Sequence, residues 1–120
     1  MMNKNTDTWF PERWIVVRIV SIKDNNQVFY RLLCGWHGGY LDGAFWRINS
    51  GITKVEDGGD YWTVFGRSGS VYRCHKESYG FSTLTFNKYT RWQEYLGEEN
   101  FQMMPENTDW LNVDWGLKND

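Results

Sequence analysis

The sequence predicts an α+β, β-rich domain: a curved or partly rolled antiparallel sheet of about six to seven short strands with one docked helix. Three observations predict it. Aromatic residues make up 18% of the chain, with eight Trp, seven Tyr and seven Phe, and aromatic side chains favour strands. Twelve Gly against two Pro mark tight turns rather than a Pro-rich linker. Apolar residues recur at helical spacing with conviction in just one segment. A chain of 120 residues is long enough to bury one core without staples.

The elements follow in order. Residues 13–23 (RWIVVRIVSIK) are dense in β-branched residues, as in a strand buried along most of its length. Asp24-Asn25-Asn26 tolerates left-handed turn conformations, and Gln27–Cys34 reads as the returning strand of a hairpin. Gly35–Tyr40, with three Gly in the five positions 35–39, is expected to be a loop. Ala44–Asn49 is the next strand, punctuated by Ser50-Gly51. Ile52–Glu56 and Asp60–Phe65 flank Asp57-Gly58-Gly59, a short-range hairpin signal. Gly66–Ser70 turns the chain into a strand at Val71–His75. Phe81–Phe86 (FSTLTF) alternates as a half-buried strand would.

The helix is expected over about 88–96, with Asn87 as N-cap. Tyr89, Trp92 and Leu96 form its stripe, Tyr95 lies beside them, and Gly97 closes it. Its charges oppose the macrodipole, with Lys88 and Arg91 early and Glu94 late, so aromatic packing must hold it. Phe101–Met104 reads as a last strand ended by Pro105.

The predicted organisation is a polar N-terminal arm (1–12), a single β-rich body (13–104) and an acidic C-terminal segment (105–120) pinned by Trp110, Trp115 and Leu111. Formal net charge is −2. Residues 1–93 carry twelve Lys/Arg and eight Asp/Glu, whereas residues 94–120 carry one Lys and seven acids. That asymmetry fits a tail folded on a more basic body, or a solvated end. No apolar run approaches the roughly 18 residues of a membrane span, and the polar first residues lack a signal-peptide h-region. Cys34 and Cys74 alone do not make a disulfide framework. A cytoplasmic protein without membrane contact is the expectation.

Several constellations bear on chemistry. Cys34, His37, Cys74 and His75 have zinc-like residue types, but Cys74 and His75 are adjacent and would point to opposite faces of a strand. Two reduced, buried cysteines and two unrelated histidines is the preferred reading, with neither metal nor cofactor. Gly66–Ser70, with Arg67, Ser68 and Ser70, is short and Gly-rich, as anion-holding loops are. A plain hairpin turn accounts for it better. No nucleophile elbow, zincin helix or P-loop is present. An enzyme would need a deep pocket in which His37 or His75 faces a Cys, a Ser or a carboxylate.

Period-two alternation pairs Trp14 with Arg18, Phe29 with Arg31, Phe45 with Arg47, and Arg73 with His75. Four Arg on one face among rings would suit single-stranded nucleic acid, although the acidic net charge disfavours it. Trp36, His37, Tyr40, Trp46, Tyr61, Trp62, Tyr72 and Tyr79 lie in or near Gly-rich turns, where amphipathic rings commonly make contacts.

Trp46–Gly51, Ser68–Cys74 and Gly35–Gly39 together resemble patterns in small bacterial proteins carried on mobile elements such as plasmids, phages and integron gene cassettes. The resemblance lies within residues 30–80 and implies a setting, not an activity; accessory proteins of that setting often bind other macromolecules. The expected function is therefore a non-enzymatic binding or adaptor protein. Trp36, Tyr40 and Tyr72 would supply contact area, Arg47, Arg67 and Arg73 charge, and His37, Ser68, Ser70 and His75 polar contacts. A protein partner or small ligand is expected, along with self-association into a homodimer. The alternatives are a nucleic-acid-binding module and a small enzyme with a His-based site.

Overall fold

A computed structural model describes residues 8–38 and 43–116. The domain is α+β and strand-rich. Its strands are β1 (Thr8–Trp9), β2 (Arg13–Ser21), β3 (Gln27–Trp36), β4 (Phe45–Ile48), β5 (Ile52–Asp57), β6 (Tyr61–Gly66), β7 (Val71–His75) and β8 (Phe101–Met103). One helix, α1 (Thr83–Leu96), lies between β7 and β8. The strands form two four-stranded sheets rather than one rolled sheet, in the orders β4-β3-β2-β8 and β1-β7-β6-β5. Every pairing is antiparallel except β1 on β7.

The first sheet is the centre of the molecule. Its hairpin runs in register from Arg13 opposite Gly35 to Ser21 opposite Gln27. Asn25 and Asn26 take left-handed φ of 59° and 61° at the turn, which short amide side chains tolerate. Trp14–Val17 and Leu32–Cys34 are buried on consecutive positions, as expected of strands covered on both faces. Full burial of each aliphatic side chain there contributes about 1.5–3 kcal/mol. On one face α1 sets Trp92 against Trp46 and Phe101, with centroids at 5.5 and 5.7 Å. On the other lie the second sheet and the C-terminal segment. Trp110 packs 6.0 Å from Trp14, and Trp115 meets Tyr30 edge-on at 5.2 Å.

Three expectations need correction. Phe81–Phe86 is not a strand, and the helix begins at Thr83 rather than near Lys88. Ser82 caps it: the Ser82 Oγ accepts from the Thr85 N–H at 3.1 Å, and the Thr85 hydroxyl accepts from the Ser82 N–H at 2.8 Å. This reciprocal box, with Thr where Glu or Gln is commoner, outweighs the period-two pattern. The earlier start also takes Lys88 and Arg91 out of the first turn, so the conflict with the macrodipole there disappears. Tyr95 is 85% exposed and takes no part in the packed stripe.

Second, Gly35 and Trp36 continue β3 rather than opening a loop. Gly35 is needed for close approach, because a Cβ there would collide with Ser82 Oγ and lie 2.9 Å from Thr85 Cγ2. Third, the N-terminal arm is not wholly outside the fold: Thr8–Trp9 adds a parallel strand to β7, and Pro11 is buried. In the C-terminal segment Trp110 is buried and Trp115 packs against the core, whereas Leu111 is half exposed.

Candidate functional site

The second sheet decides where a site can be, because β7 alternates strictly. Tyr72 and Cys74 are fully buried against the first sheet, while Arg73 and His75 face outward. Tyr61 pairs with His75, and Thr63 with Arg73, so β6 continues the outer face. The chain after β1 passes beside it. Phe10, Pro11, Tyr61, Arg73 and His75 together line an open cleft of about 260 Å³. Phe10 is 62% exposed. The Arg73 guanidinium lies 5.3 Å from the centroid of the Tyr61 ring, within cation–π range. The His75 Nδ1 accepts from the Glu77 N–H at 3.2 Å.

Among the described residues, the other expected site residues do not join this group. Tyr72 is sealed between the sheets, where its hydroxyl meets Arg47 Nε at 2.9 Å. Burial pushes its phenol above the ordinary tyrosine value, with the Arg47 hydrogen bond pulling the other way. Arg47 also lies 4.4 Å over the Trp9 ring. Both residues join the layers, through the bond between Arg47 Nε and the Tyr72 hydroxyl.

Trp36 stacks on Phe45 at 4.6 Å with the rings 7° from parallel, and its indole N–H donates to the Phe10 carbonyl at 3.0 Å. It holds the Phe10 segment in place. Tyr40 lies outside the described residues.

The 66–70 turn is closed on itself. Gly66 N–H donates to Ser70 O, Arg67 N–H to Gly51 O, Ser68 N–H to Ser50 Oγ, and Gly69 N–H to Gly66 O, at 2.8–3.0 Å. With those four donors engaged, the turn has no backbone nest to offer an anion. Ser70 is buried, whereas the Arg67 and Ser68 side chains are exposed.

The cysteines and histidines separate as strand alternation requires. Cys34 and Cys74 are buried free thiols, and burial holds both well above the ordinary thiol value, which leaves them poor nucleophiles. Among the described residues, no three His, Cys, Asp or Glu side chains are grouped as metal ligands would be. His37 does face a carboxylate: its Nδ1 is 2.8 Å from Glu12 Oε1, which also accepts the His37 backbone N–H at 2.6 Å. Those hydrogen bonds hold the Glu12 carboxyl below its ordinary value. The pair is well exposed, with no hydroxyl or thiol hydrogen-bonded to it among the described residues.

The four arginines do not share a face. Arg18 pairs with Tyr30 and Arg31 with Val17, neighbouring rungs of one antiparallel ladder whose side chains project to opposite sides. Arg47 is turned inward and Arg73 outward on the other sheet.

Comparison with protein-family models, curated proteins and solved structures finds no match to this chain. The site therefore rests on its own geometry. No helix among the described residues is long and apolar enough to cross a membrane.

Sequence reasoning missed Phe10 and Pro11, which fell within the arm, and left Tyr61 out of the site. The usable signal was Trp9-Phe10-Pro11, two large rings before a proline. Such an island is too apolar for a free end, and proline fits where a strand stops pairing.

Proposed function

We propose that this protein is a non-enzymatic binding module whose contact surface is the outer face of the β1-β7-β6-β5 sheet, centred on the Phe10–Tyr61–Arg73–His75 cleft. The carrying observation is that cleft itself. It places two aromatic side chains and an outward-facing cation in one concavity on a face that no other described element covers. Apolar walls with a few polar groups are the usual composition of small-ligand sites. A binding role is favoured over catalysis because both thiols are buried and, among the described residues, the His37–Glu12 pair has no nucleophile at hydrogen-bond range. The dispersed arginines weigh against a nucleic-acid track. The resemblance to mobile-element proteins supports an accessory, adaptor-like role.

The test is an amide NMR screen of a small-molecule fragment library against the full chain. Hits should move the resonances of Tyr61, Arg73 and His75 together, and a Phe10→Ala/Tyr61→Ala double variant should lose them. Hits that gather elsewhere, or survive the double variant unchanged, would overturn the assignment.

A further inference from the structure

Resting on that reading, and adding the identity of the ligand to it, we infer that the cleft takes a small aromatic monoanion: one ring carrying a single carboxylate-type group. Size sets the first limit. A cavity of about 150 Å³ holds a benzene, whereas drug-sized ligands occupy about 300–1,000 Å³. A volume of about 260 Å³ therefore suits one ring with a short substituent. The walls set the second. Phe10, Pro11 and the Tyr61 ring present apolar and π surface on which a flat ring is held.

Charge sets the third. Among the described residues, Arg73 makes no ion pair and no acid lines the cleft. The backbone N–H of Glu77 can only donate, so Nδ1 of His75 is the acceptor and the ring proton sits on Nε2. His75, which also lines the cleft, thus carries a second donor. One cation and one neutral donor match one negative charge, and the guanidinium fork fits a carboxylate in particular. A polyanion would need cations continued along the face. There Lys54 is already 2.9 Å from Glu56.

The experiment is an NMR titration of the full chain with phenylacetate, its neutral isostere phenylacetamide, and oligothymidylate. Phenylacetate should shift Tyr61, Arg73 and His75 and bind at least about tenfold more tightly than the amide, the worth of a charge-assisted hydrogen bond. Arg73→Gln should bring phenylacetate down to the level of phenylacetamide. Arg73 is exposed, so the variant is expected to fold, which its amide spectrum will report. Equal affinity of acid and amide, or a preference for the acid that survives Arg73→Gln, overturns the inference. Tighter binding of oligothymidylate at the same resonances overturns the ligand class while leaving the surface as the binding face. If phenylacetate leaves these residues unmoved while library fragments still reach them, only the ligand class falls.

Discussion

Both sheets carry aromatic residues, but they differ in cover. The β4-β3-β2-β8 sheet is packed on both faces, by α1 on one side and by the second sheet with the Trp110–Trp115 segment on the other. Among the described residues, the β1-β7-β6-β5 sheet is packed on one face only. Rings in the covered sheet find partners in the core: Trp14 meets Tyr79 edge-on at 4.6 Å, and its indole N–H donates to His75 O at 2.8 Å. On the open face Tyr61 and Phe65 lie beside Arg73 and Lys54 with no ring partner among the described residues, whereas Trp46 of the covered sheet meets both Lys88 and the Trp92 ring. The abundance of aromatic residues therefore does not by itself mark a binding surface. What matters is which sheet has a face left over.

The comparison predicts unequal sensitivity, greatest where cover is deepest. Trp110 is 3% exposed and packs against Trp14 and Tyr79. Trp110→Ala should cost about 3–5 kcal/mol in denaturant unfolding, the range for deleting a buried large ring. A loss under about 1 kcal/mol, the size typical of surface changes or smaller core edits, would mean that the C-terminal segment does not seal the sheet.

A smaller effect is expected where the helix meets the same sheet. Gly35→Ala forces a methyl group against Ser82 and Thr85, the two residues of the helix cap. Overpacking of this kind costs about 1–3 kcal/mol, and helical circular dichroism should fall before the sheet signal does. A neutral result would show that the cap can retreat.

These contrasts also explain what the sequence disclosed. The β2–β3 hairpin, the Asp57–Gly59 turn and the strand at Val71–His75 were legible because local chemistry specifies them: β-branched runs, an Asn pair, Gly in turns. The helix start was misplaced because FSTLTF satisfies strand alternation and a capping box together, and only the packing of Ser82 on Gly35 favours the second. The site was half legible. Arg73 and His75 follow from alternation, whereas Tyr72, one residue away, faces the opposite layer. Which face of β7 is covered depends on a contact between distant strands, Arg47 to Tyr72, that no local pattern encodes. Phe10 and Pro11 enter the cleft through a parallel pairing more than 60 residues apart in sequence, equally invisible to local reading.

The smallest predicted effect lies at the exposed end of the open sheet. Asp57 accepts from Lys76 Nζ at 2.7 Å and from the Gly59 N–H at 2.9 Å. These bonds, that to Lys76 foremost, hold its carboxyl below the ordinary value of 3.8. A carboxylate with a depressed folded value contributes stability that is complete above its unfolded value and is lost as pH falls through the folded one. Acidification should therefore loosen the β5–β6 turn before the core responds, and Asp57→Asn should remove that pH dependence. Both partners are substantially exposed, so the effect is screened and should shrink with added salt. Amide exchange at Gly59 and Tyr61, followed as pH is lowered, provides the measurement. If it stays flat in the native protein, or if Asp57→Asn leaves its slope unchanged, the Lys76 contact does not order the end of the open sheet.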